Sequence, residues 1–121
     1  KVVNNINGWE IGSSDIELTK KGIKSPIFKN FSSPFLAYES HHDVVSDLPD
    51  KFEILAKNKY GVQAFSFSNF IYGVQFHPEF SFDVMKAYYD ARSKNIDNDD
   101  SYISSQNDGA LVVSNFINLI L

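Results

Sequence analysis

Gly73-Val74-Gln75-Phe76-His77-Pro78-Glu79 joins an apolar, strand-like run to a histidine, a proline and a carboxylate. Pro78 fixes its own φ and keeps His77 out of the helical region, which holds His77 and Glu79 in a defined relation at the end of the strand. In an extended segment residues two apart share a side, which brings Glu79 beside His77. A carboxylate next to an imidazole selects one tautomer and favours the protonated ring, as a base in a nucleophile-base-acid relay requires. Taken alone, the pair also fits a surface His and Glu following an edge strand.

Upstream of this stretch lie apolar, β-prone runs at residues 35–39, 52–58 and 62–67, with 70–76 as the fourth. The segments between them are short and rich in Lys, Gly, Ser and Asn, so antiparallel pairing is expected. Ile16-Glu17-Leu18-Thr19 alternates as a strand, and Lys20 to Pro26 reads as the turn that ends it. Ile27, Phe28 and Phe31 follow with the spacing of a short helical turn. Gly8-Trp9-Glu10-Ile11-Gly12 reads as a tight loop after a first strand edge, because two glycines frame it.

Downstream of Pro78 the period changes. Phe82, Met85, Tyr88 and Tyr89 recur at helical spacing behind Ser81, a suitable N-cap, and predict a helix that packs on the sheet through that stripe. Residues 93–107 are rich in Ser, Asn and Asp and read as a mobile surface loop. Asp108 is expected to cap a terminal helix, within 108–121, whose Leu111, Val112, Phe116, Ile117 and Ile120 enter the core. The expected fold class is α/β, a mixed parallel/antiparallel sheet flanked by helices.

The chain has 121 residues, of which 43% are hydrophobic, enough for the core of one domain spanning 1–121. Its 11 Lys and Arg against 15 Asp and Glu are scattered rather than massed, which argues against nucleic acid or an anionic membrane surface as partner. No apolar run approaches the roughly 20 residues that a bilayer span needs. The sequence contains no cysteine, which excludes disulfides, thiolate metal sites and a cysteine nucleophile within these residues. An intracellular, cytoplasmic protein is expected. His41, His42 and His77 could be imagined as metal ligands, but adjacent strand residues point to opposite faces, so no metal and no cofactor is expected.

The heptad around His77 resembles the signature of class I glutamine amidotransferases, and three further segments match in order. Ser40-His41-His42-Asp43-Val44-Val45-Ser46-Asp47-Leu48-Pro49 is similar to the family's Ser-His-x-Asp-x-Val-x-x-Leu-Pro segment. Gln63-Ala64-Phe65 matches its Gln-Ala-Phe strand, and Gly8 to Gly12 its Gly-x-Glu-x-Gly. Phe80-Ser81 and the Leu-Thr strand place it nearest the GMP-synthase-like subgroup.

This resemblance implies a flavodoxin-like three-layer fold, incomplete at the N-terminus, and the chemistry of glutamine hydrolysis through a Cys-His-Glu triad. His77 would be the general acid/base and Glu79 its orienting partner. His41, Asp43 and Glu10 would border the glutamine pocket, although Asp43 could equally cap the turn into Val44. The Gly-x-Cys-x-Gly nucleophile turn is expected before residue 1, on an N-terminal Cys-bearing half that would be this chain's first partner. An ammonia-accepting synthetase domain or subunit would be the second. The chain alone should not turn over glutamine. Two other readings share the motifs: an inactive amidotransferase-fold binding or regulatory module, and a related γ-glutamyl hydrolase.

Overall fold

The structure is a computed structural model that describes residues 1–96 and 100–121. Among these residues the frame is a five-stranded sheet in the order β3-β2-β5-β6-β7, every neighbouring pair antiparallel. Strand β2 (Glu10–Leu18) pairs along its length with β3 (Phe35–His41), from Glu10 opposite His41 to Ile16 opposite Phe35. Only its last residues, Glu17 and Leu18, reach β5 (Phe52–Asn58), so the sheet splays beyond that point. β6 (Gly61–Phe67) and β7 (Ile71–Val74) continue from β5 through short hairpins, as expected for connections too short to cross over. A separate ribbon pairs β1 (Val2–Asn4) with β4 (Asp43–Val45), a short strand that the sequence pattern does not reveal. The parallel pairings of a mixed sheet are not among these strands.

The core has two parts. Ile16, Phe28, Phe35, Leu55 and Phe76 lead the larger one, and Ile11, Tyr38 and Met85 form the smaller one beneath Phe80, Tyr89, Ile96 and Ile103. Helix α2 (Phe82–Arg92) starts at Ser81, whose hydroxyl accepts from the Val84 amide at 3.3 Å. Of its expected apolar stripe, Met85 is fully buried and Tyr89 half-buried, whereas Phe82 and Tyr88 stay 38% and 40% exposed. The helix meets the small core along one narrow line, so residues a few tens of degrees off that line remain in solvent.

Other expectations are corrected by local chemistry. Between Lys20 and Pro26 the turn contains α1 (Lys20–Lys24), because Thr19 Oγ1 accepts from the Gly22 amide at 3.0 Å and caps one helical turn. The helical turn after it is the 3-10 segment Pro26–Phe28. The tight loop lies earlier than Gly8 to Gly12: Gly8 N donates to Asn5 O at 3.0 Å, and Glu10, Ile11 and Gly12 already belong to β2.

Residues 93–107 have the composition of a mobile loop, yet the described ones are tied down. Ser13 N donates to Tyr102 O at 2.8 Å, Ser104 N to Ser13 Oγ at 2.9 Å, and Tyr38 Oη to Ser104 O at 2.8 Å. Polar composition conceals these anchors, since the backbone supplies most of them and Ile96 and Ile103 fill the small core. Positions 97–99 lie outside the described residues.

Asp108 does not cap the last helix through its side chain. Its carboxylate accepts from the Leu36 amide at 3.2 Å and from Gln106 Nε2, and a 3-10 turn, Asp108–Ala110, leads into α3 (Leu111–Ile120). Of the residues expected in the core, Val112 is buried and Phe116 packs at its edge. Leu111, Ile117 and Ile120 are 38%, 45% and 59% exposed, which leaves an apolar face beside Phe70 and Ile71.

Candidate active site

His77 sits where the curled sheet closes on itself. β7 ends at Val74, then Gln75 N donates to Gln63 O at 2.9 Å on β6 and His77 N donates to Tyr38 O at 2.8 Å on β3. Two edges of the sheet are thereby joined at the histidine backbone, which fixes the origin of its side chain. Pro78 and Glu79 then form a turn, closed by Phe80 N to His77 O at 3.3 Å. This turn, rather than the alternation of an extended strand, brings Glu79 Oε1 to 2.8 Å from His77 Nδ1. With Nδ1–H donating to the carboxylate, Nε2 is the atom through which the ring can exchange a proton.

Glu10 and His41 meet elsewhere, in a buried polar network under β2 and β3. His41 Nε2 lies 2.9 Å from Glu10 Oε1 and 2.9 Å from Glu39 Oε2, while its Nδ1 lies 2.8 Å from the carbonyl oxygen of Asp43. A carbonyl can only accept, and so does Glu10, whose two oxygens also take hydrogen bonds from the Gln63 and Asn58 amides, so both ring nitrogens donate and the ring is an imidazolium. Burial alone would lower the pKa of His41, but the hydrogen bond to Glu10 and the close Glu39 carboxyl outweigh it and raise it to about 10. Burial pushes the Glu39 carboxyl up to about 8, with the Glu10 charge adding to the rise and His41 opposing it. Glu10 also accepts from Gln63 Nε2 at 2.9 Å and from Asn58 Nδ2.

Among the described residues, Glu10, Glu39 and His41 form a group that could hold a metal ion, with ligand atoms within 4.8 Å of one another. The amides of Gln63 and Asn58 already engage Glu10, and the imidazolium occupies the cation's place between the carboxylates. His42 points away and stacks on Trp9 at 5.4 Å, so His41, His42 and His77 do not converge. The Asp43 side chain is exposed; what it contributes inward is its carbonyl, which also accepts from Gln75 Nε2 at 3.2 Å.

Glu39, Asn58 and Gln63 are members of this network that the motifs did not mark as a group. The signal was present in β3, where Phe35, Ala37 and Glu39 follow one another at period two and place a carboxylate on the core face. A groove of about 600 Å³ runs past Glu10, Ser13, Asp15, Lys57 and Tyr60 and does not include His77.

Residues 1–94 match the family described as Glutamine amidotransferase class-I. The chain belongs to this family. Among its relatives, a glutamine-hydrolyzing GMP synthase subunit of Methanococcus vannielii is 47% identical over 60 residues, covering 48% of this chain and 32% of the relative. The corresponding subunit of Methanococcus maripaludis is 38% identical over 88 residues, covering 67% of this chain and 47% of the relative. The chain thus spans less than half the length of these relatives. A solved glutamine amidotransferase from Thermotoga maritima superposes with a TM-score of 0.63 at 27% identity, over 78% of this chain and 39% of that one. A solved structure described as a GMP synthase subunit from Thermoplasma acidophilum gives a TM-score of 0.68 at 24% identity, over 98% and 47% respectively, and shares the fold. The fold is therefore the flavodoxin-like α/β of class I amidotransferases, with the described strands antiparallel. No described helix is long and apolar enough to cross a membrane.

Proposed function

We propose that this chain is the acid/base portion of a glutaminase domain. The observation that carries the reading is the 2.8 Å contact between His77 Nδ1 and Glu79 Oε1, within the segment that matches the family. Glu79 holds the ring so that Nε2 faces the reacting atoms. A cysteine thiolate attacks the γ-carboxamide carbon of glutamine, and His77 gives its Nε2 proton to the departing nitrogen, releasing ammonia and leaving a thioester. His77 then takes a proton from water, the hydroxide attacks the thioester, and glutamate and the thiolate are regenerated.

The sequence of 121 residues contains no cysteine, so the nucleophile comes from outside it, on a Cys-bearing half that completes the domain. Two features support this: the relatives are more than twice as long as the matched segment, and α3 and β7 present an apolar face that more chain would cover. A synthetase subunit is proposed as the ammonia acceptor because the relatives are named as one subunit of a synthase. In this reading Glu10 and His41 hold the sheet beside the site, and Asp43 offers its carbonyl to that framework.

The test is glutamine hydrolysis by the complete gene product. Ammonia release that His77→Ala abolishes supports the reading. A product folded but inert toward glutamine supports a non-catalytic binding module, and preference for γ-glutamyl peptides over glutamine supports a γ-glutamyl hydrolase.

A further inference from the structure

His77 lies at one end of a stack that crosses the surface of α2. Its ring lies face to face on Phe80, with centroids 4.2 Å apart and planes 6° apart. Phe80 stacks in turn on Tyr88 at 5.2 Å and 14°. The guanidinium of Arg92 sits 5.0 Å from the Tyr88 ring and 5.7 Å from the Trp9 ring, between the two. Trp9 then stacks on His42 at 5.4 Å. Arg92 is further held by a 3.3 Å hydrogen bond from Nη1 to Ser40 Oγ.

Two constraints on His77 are therefore distinct. The backbone bond to Tyr38 fixes where the side chain begins, and the Glu79 carboxylate fixes one ring nitrogen. Neither fixes rotation of the ring about the line to that carboxylate, and Glu79, with its side chain 61% exposed, is itself free to swing. A flat surface at van der Waals distance does fix it, because any rotation lifts the ring off its neighbour. Arg92 also lies over the Tyr88 ring and supports it with its planar cation. This also explains why Tyr88, expected in the core, is 40% exposed: its faces are used by Phe80 and Arg92 rather than by the sheet.

We infer that Phe80, backed by Tyr88 and Arg92, is a positioning residue that sets the ring plane of His77 and so aims Nε2. This inference rests on His77 being the acid/base of the proposed glutaminase. Phe80 does not touch substrate in this assignment; it acts through the imidazole.

The experiment uses the complete gene product with Phe80→Leu, which keeps apolar volume over the small core but removes the flat face, alongside Phe80→Tyr, which restores it. The exposed Tyr88→Leu is the variant least able to disturb folding. Nitrogen-15 histidine spectra report the Nδ1–H tautomer and ring environment of His77, and steady-state kinetics report kcat and KM for glutamine. Phe80→Leu is expected to mix the tautomers and to lower kcat by about tenfold to a hundredfold with KM nearly unchanged, since small misalignments carry losses of that order. Phe80→Tyr should recover both readouts, and Tyr88→Leu should show a smaller change of the same sign. Unchanged His77 nitrogen shifts in Phe80→Leu would overturn the inference, as would a rise in KM at constant kcat. If the unmodified protein releases no ammonia, the glutaminase reading fails, while the nitrogen spectra still decide whether Phe80 orients His77.

Discussion

Glu79 Oε1 accepts from His77 Nδ1 at 2.8 Å across a proline-centred turn, and the histidine's own backbone is tied to Tyr38 of another strand. The carboxylate is therefore the exposed member of the pair and the imidazole the anchored one. Replacing Glu79 by Gln in the complete protein keeps the shape but removes the charge that steadies the imidazolium. On the proposed glutaminase reading, the expected loss in kcat for glutamine is on the order of tenfold to a thousandfold, with KM little altered, as for a group that acts mainly on the transition state. Because Glu79 is largely in solvent, water replaces part of its contribution, which favours the lower end. Ammonia release in single-turnover and steady-state assays checks this.

Gly12 is the position in β2 where a side chain is least tolerable. Its φ is +94°, and a Cβ there would collide with the Tyr102 carbonyl, the acceptor of the Ser13 amide. Gly12→Ala should cost about 2–4 kcal/mol, combining backbone strain with loss of the strap formed by residues 101–104. Gly8 shares a positive φ, +83°, but faces open space, so Gly8→Ala should cost only about 1 kcal/mol. Urea denaturation of the two variants separates strain alone from strain plus collision.

The strands and the pairing of Glu79 with His77 were legible because period-two alternation and proline act locally, although a turn rather than an extended segment makes the pair. Phe52–Asn58 falls within the bounds that the sequence pattern assigns to it, and Ser81 caps its helix as the spacing requires. What the sequence hid was non-local. β4 exists because Val44 and Val45 find β1, and the segment around Tyr102 is ordered because Gly12 leaves room for its carbonyl. In the candidate site, His77 and Glu79 could be paired from spacing, whereas Glu39 could not be linked to His41 and Glu10 until β2 and β3 were set in register. The exposed residues of α3 show the opposite limit: apolar composition predicts burial without saying against what.

Met85 and Phe82 test how narrow the contact of α2 is. Met85 is fully buried against Ile11 and Tyr38, so Met85→Ala should destabilise by about 2–4 kcal/mol through lost burial and a residual cavity. Phe82, one turn away and 38% exposed, should cost less than about 1 kcal/mol when replaced by Ala. Thermal melts of the two variants should therefore diverge clearly, and equal effects would mean that the helix packs through a broader face.

The Glu10, Glu39 and His41 network predicts an unusual dependence of stability on pH. Burial raises Glu39 from 4.5 to about 8, so between those values the folded chain holds a proton that the unfolded chain has released. The carboxylates raise His41 from 6.5 to about 10, with the same consequence over that interval. Wherever the folded state binds more protons, stability falls as pH rises. Each group's contribution is thus fully present below its unfolded value and is lost on the way up to its folded one. Both act together between pH 6.5 and 8, so the steepest loss is expected there. The urea midpoint should be higher at pH 6 than at pH 9, opposite to a protein held by ordinary carboxylate pairs that weaken in acid. Glu39→Gln carries the neutral form's shape at every pH, so it should remove the decline due to Glu39 and, because the Glu39 carboxylate is one cause of the rise at His41, also shrink the part due to His41. A midpoint that does not change from pH 6 to 9 in the parent chain would mean that the network holds no extra proton.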